Sequence, residues 1–231
     1  ISSIMPLPEN EDEWSKLNIV FITKLGKIRK NNLDDFRNIQ SNGKIAMKLD
    51  KNDEIVSVKL IKGDEDIMIN SYLGKSLRVN NNKIRLFKGR SSKGVKGINL
   101  KNKDKVISLS ILNKNLISSN KDEMKSREQF ILTITENGYG KRSSSYEFRE
   151  TGRGGQGIIN ISTSERNGNV SASFPINSED EIMLVTNKGQ MIRVKVSEIR
   201  VAGRNTQGVR IFKTENEEKV VTAVRLADSN G

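Results

Sequence analysis

Ile131-Leu132-Thr133-Ile134-Thr135 is a short β-branched run that ends on a hydroxyl residue and reaches Gly138 after two more positions. The pattern occurs three more times. Ile19-Val20-Phe21-Ile22-Thr23 precedes Gly26, Ile67-Met68-Ile69-Asn70-Ser71 precedes Gly74, and Ile182-Met183-Leu184-Val185-Thr186 precedes Gly189. A second glycine follows each time, at Gly43, Gly94, Gly157 and Gly208, after 17, 20, 19 and 19 residues. Ten residues further stand Asp53, Asp104, Asn167 and Glu218, and each opens another apolar stretch, such as Ile55-Val56-Ser57-Val58 or Val220-Val221-Thr222-Ala223. Four copies in phase over three landmarks define a repeat of about 50 residues. Segments this short, β-branched and bounded by Gly and Asn read as strands. A glycine just past the Thr or Ser suits a tight hairpin that needs positive φ. Three or four strands per repeat with no amphipathic helix predict an all-β propeller of four-stranded blades.

The blade-like spans are 18–62, 63–111, 129–176 and 177–227. Residues 1–17, with Ile4-Met5-Pro6-Leu7 and Trp14, resemble the tail of a preceding blade. Residues 112–128 are polar and read as a surface insertion, with a short helix around Lys121–Glu128. The whole forms one domain of about four complete blades. A propeller must close to hide its blade edges, so four blades plus a tail suggest part of a larger ring.

Composition narrows the function. The 231 residues carry 40 Lys+Arg against 28 Asp+Glu, a formal net charge of +12, with no cysteine and no histidine. Disulfides, thiolate nucleophiles, cysteine zinc sites and Ser-His or Cys-His catalysis are thereby removed. No apolar run is long enough to span a bilayer, and the N-terminus lacks a secretory pattern. The expectation is a soluble cytosolic chain without a catalytic or metal site, whose partner is a polyanion.

The charge is uneven. Residues 71–105 hold eight Lys and three Arg against Asp104 alone. Lysines in a Lys/Asn-rich chain are compatible with a merely solvated face, whereas the arginines recur in phase. Lys30, Arg78, Arg142 and Arg193 follow their hairpin glycines by four residues. Arg90, Arg153 and Arg204 stand in Gly89-Arg90-Ser91-Ser92-Lys93-Gly94, Gly152-Arg153-Gly154-Gly155-Gln156-Gly157 and Gly203-Arg204-Asn205-Thr206-Gln207-Gly208. Arg85 and Arg200 lie slightly upstream. One cation per blade at a fixed place makes a periodic basic rim, able to track repeated phosphates without reading bases. Glycine-rich loops also let backbone N–H groups approach phosphate. Aromatics at 5% argue against a stacking platform for single strands, which favours duplex DNA.

Gly152 to Gly157 also matches the dinucleotide fingerprint G-x-G-x-x-G, but Ile158-Ile159-Asn160-Ile161 follows it as a strand where a helix is required. Asp64-Glu65-Asp66 and Glu179-Asp180-Glu181 precede strands and read as turn and solubility residues.

Thr135-Glu136-Asn137-Gly138-Tyr139-Gly140-Lys141-Arg142, Glu165-Arg166-Asn167-Gly168 and Gly203-Arg204-Asn205-Thr206-Gln207-Gly208-Val209 resemble the C-terminal domain of bacterial DNA gyrase A. The resemblance covers nearly the whole chain. It implies a β-pinwheel, a propeller whose neighbouring blades exchange strands, with DNA wrapped on a basic outer rim. The implied partners are double-stranded DNA, the N-terminal part of gyrase A and the gyrase B protein, in an A2B2 holoenzyme. Negative supercoiling would use ATP and Mg bound outside this chain, which needs no cofactor, and the setting is cytoplasmic and nucleoid-associated. The rim positions carry over to Arg78, Arg85, Arg90, Lys93, Lys141, Arg142, Arg153, Arg193, Arg200 and Arg204. The family heptad QRRGGKG is absent, and Ser41-Asn42-Gly43 lacks the Gly-Arg step, with Arg37 as its replacement. By alignment of repeats the chain covers blades three to six.

Two other readings stand beside this one. The C-terminal domain of the corresponding topoisomerase IV protein shares the propeller and bends DNA without a strong chiral wrap. A propeller could also bind an acidic protein through the same basic face.

Overall fold

The computed structural model describes residues 3–37, 42–114 and 120–226. Residues 115–119 of the expected insertion lie outside these. Every apolar run that precedes a hairpin glycine is a strand. The first repeat contains β1 (Asn18–Thr23), β2 (Lys27–Asn32) and β3 (Ile55–Ile61). The second contains β4 (Asp66–Ser71), β5 (Lys75–Asn80), β6 (Leu86–Phe87), β7 (Val95–Lys96) and β8 (Val106–Leu112). After the short helix α1 (Lys121–Ser126), the third holds β9 (Phe130–Thr135), β10 (Tyr139–Ser144), β11 (Glu150–Thr151), β12 (Ile158–Ile159) and β13 (Val170–Ile176). The fourth holds β14 (Glu181–Thr186), β15 (Met191–Lys195), β16 (Val209–Arg210) and β17 (Val220–Leu226).

The hairpin chemistry explains the sequence signature. Gly26, Gly74, Gly138 and Gly189 all have φ between 74° and 85°, and each donates its N–H to the carbonyl of the Thr or Ser three residues earlier. That is a β-turn closed by a left-handed glycine. The hydroxyls of Thr23, Ser71 and Thr186 accept the N–H four residues on, which is why the runs end in Thr or Ser.

Each of the first three sheets draws on two repeats. β1, β2 and β3 form an antiparallel sheet with β1 in the middle, and one edge, β2, is completed by β6 and β7 of the second repeat. In the same way β11 and β12 complete β5, and β16 completes β10. None of these three sheets is therefore contained within one of the 50-residue spans. The exchanged strands cover an edge that would otherwise present unpaired backbone groups. The fourth sheet has three strands, β15-β14-β17, with no exchanged strand on β15 among the described residues.

The glycine landmarks are requirements of this exchange. The carbonyl of each of the first three hairpin glycines accepts two N–H groups, from residues three and four past the next repeat's second glycine. Gly97 and Ile98 donate to Gly26, Asn160 and Ile161 to Gly74, and Ile211 and Phe212 to Gly138. A Cβ on Gly94 would lie 2.5 Å from the Ile28 carbonyl oxygen, and one on Gly208 would lie 2.7 Å from that of Gly140. These glycines admit backbone of the same chain, whereas the sequence suggested phosphate.

The described residues divide into two lobes: 3–37, 42–69, 77–114 and 150–157 in one, and 70–76, 120–149 and 158–226 in the other. Val20, Ile22, Ile28, Ile67, Ile69 and Leu77 centre the first lobe's core. A second cluster there joins Trp14, Phe21, Leu33, Phe36 and Met47. Residues 11–16, expected as part of a blade tail, form a 3-10 helix that buries Trp14 in that cluster. The second lobe's core is built on Leu132, Ile134, Ile182, Leu184, Val196 and Val220.

Candidate nucleic-acid interface

The cations that recur in phase fall into two structural groups. The first follows the hairpin glycine by three or four residues and, in the first three repeats, points inward. Arg29 is fully buried, stacks over Phe87 at 4.5 Å and donates to the Gly89 and Ser92 carbonyls. Lys141 is fully buried and donates to the Gly203 carbonyl at 2.6 Å. Gly89 and Gly203 open the two Gly-Arg loops of the second and fourth repeats, so a buried cation in the preceding repeat holds each loop in place. One position on, Lys30 donates to Asn81, and Arg142 donates to the Ile199 and Ser197 carbonyls and to Ser178. Arg78 forms a buried ion pair with Asp66 at 2.7 Å.

Arg78, Lys141 and Arg142 were expected on an exposed rim, and the structure buries all three. The inward direction follows from β2, β5 and β10 being interior to their sheets once the exchanged strands dock. Asp66 and Asp180 likewise differ from the expectation of solvated residues: both are buried, Asp66 against Arg78 and Asp180 against Arg225, although Asp180 does close a turn by accepting the Asn177 N–H.

Desolvation lowers Lys30, Arg29 and Arg142 from their ordinary values, with Asp35 partly offsetting this at Arg29. Burial pushes Lys141 furthest, to about 8. The charged form of Lys141 is thus disfavoured in the folded state. Between about 8 and its ordinary 10.5 the unfolded chain binds more protons, so this lysine makes stability rise with pH over that window. We predict that Lys141→Met removes this component of the rise, read as the wild-type-minus-variant difference in chemical-denaturation free energy against pH. The same variant is expected to leave the salt dependence of any DNA binding unchanged.

The second group is carried by the Gly-Arg loops and points outward. Arg90 donates to the Ile45 carbonyl at 3.0 Å, Arg153 to Lys96 at 3.4 Å and Arg204 to Ile159 at 3.1 Å. Every acceptor lies two residues past the second glycine of the preceding repeat. One guanidinium nitrogen is used in each of these anchors, and all three side chains remain partly or fully exposed. A guanidinium offers five donors in a rigid fork, so most of each fork stays available to an external oxyanion.

The remaining expected positions differ in freedom. Arg85 is exposed and lies 5.2 Å over the Phe87 ring. Arg200 is exposed, with no side-chain partner among the described residues. Lys93 pairs with Asp50, which also engages Lys27; those bonds hold the Asp50 carboxyl below its usual range. Arg193 pairs with Glu181 although its side chain is 65% exposed. Arg37 is held by Asp34 and the Glu11 carbonyl. Among the described residues no group of three or more Asp or Glu could hold a metal ion.

The interlocked sheets and their in-phase arginine loops define a repeat protein of the propeller class with a basic loop surface. The family model "DNA gyrase C-terminal domain, beta-propeller" matches residues 17–62, 66–113, 129–177 and 180–227, and the chain belongs to that family. DNA gyrase A of Rickettsia prowazekii (strain Madrid E) is 42% identical over 266 residues, covering 100% of this chain and 29% of that protein. The Salmonella typhimurium counterpart is 38% identical over 99% of this chain and 24% of its own length. The chain therefore spans under a third of these relatives. A solved structure of the DNA gyrase A C-terminal domain superposes with a TM-score of 0.78 at 24% identity, over 94% of this chain and 68% of that one. The C-terminal domain of DNA topoisomerase IV gives 0.81 at 22% identity, over 91% and 62%. At these identities the two structures establish the fold.

Proposed function

We propose that the chain binds duplex DNA through its phosphate backbone and bends or wraps it, as the C-terminal part of a DNA gyrase A protein. The observation that carries this is the anchoring of Arg90, Arg153 and Arg204 at one equivalent place in three successive repeats. Fixing one nitrogen to a carbonyl orients the fork before any ligand arrives, which lowers the ordering cost of binding. Repetition at a fixed structural place suits a polymer of phosphates and carries no base information. In this reading the chain is not catalytic: strand cleavage and ATP hydrolysis belong to the rest of an A2B2 assembly with the N-terminal part of gyrase A and with gyrase B. Its own need for cofactors is nil, and its setting is the cytoplasm, at the nucleoid.

The topoisomerase IV reading shares the fold and differs in chirality. Relaxed closed-circular plasmid incubated with the chain, resealed by a nicking-closing enzyme and deproteinised separates the two. A changed linking number indicates a handed wrap. Binding without any change indicates bending alone. A binding constant that is flat between 50 and 200 mM salt would sink the DNA reading, since several phosphate contacts impose a steep loss.

A further inference from the structure

Two sequence motifs that lie 27 residues apart meet in the second lobe. The Nε of Arg166 lies 3.3 Å from the Tyr139 hydroxyl oxygen and Arg210 Nη2 lies 2.9 Å from it, so both guanidinium groups donate to one hydroxyl. Both also stack on the Tyr139 ring, at 5.2 and 5.3 Å. Tyr139 itself is buried, at 3% exposure. Arg210 arrives on the exchanged strand β16, directly opposite Tyr139. The Arg166 loop is held by the Asn137 side-chain amide, which donates to the Glu165 and Arg166 carbonyls.

The group opens on a cavity of about 320 Å³, also lined by Lys213. Neither arginine has a carboxylate within ion-pair distance among the described residues, and Lys213 has no partner there. Carboxylates at the cavity are turned to other tasks. Glu218 accepts from Thr186 and from the Glu215 amide, Glu215 pairs with Lys188, and exposed Glu217 is not in ion-pair distance of either guanidinium. Two like charges held on one neutral acceptor repel unless an anion joins them. The arrangement belongs to the third repeat alone, because the residues equivalent to Tyr139 are Lys27, Lys75 and Gln190, so it is not a by-product of the repeat framework. The bonds from Arg166 and then Arg210 lower the Tyr139 hydroxyl from its ordinary value, because donors aimed at the oxygen favour its charged form.

We propose that Tyr139, Arg166 and Arg210, with Lys213 at the margin, form an oxyanion site that takes a phosphate group of the DNA backbone. Arginine forks match phosphate oxygens geometrically, and the tyrosine fixes both forks in advance. The assignment of DNA as the source of the phosphate rests on the function proposed above, whereas the oxyanion site itself does not.

The test uses the full chain and two readouts. Duplex binding is measured by fluorescence anisotropy between 50 and 200 mM salt for the wild type, Arg166→Gln/Arg210→Gln and Arg166→Lys/Arg210→Lys. The arginine Nε–H signals are followed by NMR while inorganic phosphate is added. The expected results are a salt slope shallower by about two in the double glutamine variant, a slope retained in the double lysine variant, and phosphate-induced shifts at both arginines. An unchanged slope in the glutamine variant, with the wild type still steep, overturns the DNA assignment. If the wild type shows no salt-dependent duplex binding, the function reading fails separately, and the phosphate titration alone decides the site. Absence of both the slope change and the shifts overturns the oxyanion site altogether.

Discussion

Gly138→Ala is expected to destabilise the chain by roughly 2–5 kcal/mol, and Gly189→Ala by only about 1–2 kcal/mol. Both glycines close equivalent hairpins with nearly equal positive φ, 74° and 80°, so both variants incur the left-handed strain of an L side chain. They differ in surroundings. A Cβ on Gly138 would overlap the Phe212 carbonyl oxygen, whose chain segment supplies the exchanged strand, while a Cβ on Gly189 meets nothing within 4 Å. Relief at Gly138 requires expelling Phe212, which gives up the paired bonds from Ile211 and Phe212 to the Gly138 carbonyl. The difference between the two variants in urea midpoint therefore measures the docking of an exchanged segment, free of the turn's own strain. Equal losses at the two sites would mean that strand exchange contributes little to stability.

Removing the three anchored forks together, Arg90→Ala/Arg153→Ala/Arg204→Ala, is expected to lower the salt slope of duplex binding by about three. At about 1 kcal/mol per charge-assisted contact, affinity should fall on the order of 10²-fold. The loss should be uniform across DNA sequences, because backbone contacts carry no base information. The triple lysine variant separates charge from anchoring. It keeps the counterion release while losing the planar fork, so its slope should hold near the wild-type value as its affinity drops. A triple alanine variant with unchanged slope would assign these arginines to loop packing alone, through Ile45, Lys96 and Ile159.

The repeat, its strands and its hairpins were legible because they rest on local chemistry. A β-branched run, a hydroxyl and a glycine specify a turn within eight residues, as at Ile131 to Gly138. Strand exchange was not derivable that way. β6 and β7 are two residues long, and their partner β2 lies some 55–70 residues earlier in the chain. Nothing local distinguishes such a strand from a loop, and only the resemblance to a known family implied it.

The interface was legible in part for a related reason. The phase of the cations was readable, but which way each faces depends on which strand edge becomes covered. Lys141 and Arg142 therefore looked like neighbours of Arg204 on one surface, whereas the fold buries both, Lys141 as a support for the Arg204 loop through Gly203 and Arg142 against Ile199 and Ser197. The same gap hid Arg29 and Arg210, which gain their meaning only from the Gly89 carbonyl and from Tyr139 across an exchanged pairing. A signal in the repeat phase was present for Arg29, since its repeat equivalent Lys141 is also basic.

The order in which the sheets are completed has a consequence during synthesis. The edge of β2 is closed by Leu86–Phe87 and Val95–Lys96, and the edge of β10 by Val209–Arg210. A ribosome delivers those segments well after the hairpins they cover. Each of the first three repeats therefore waits, with one edge bare, until its successor has left the exit tunnel, so maturation trails translation by about one repeat. A pause in elongation between Ser144 and Val209 would prolong the exposure of β10, and that interval is where a nascent chain of this design is most open to pairing with the wrong strand.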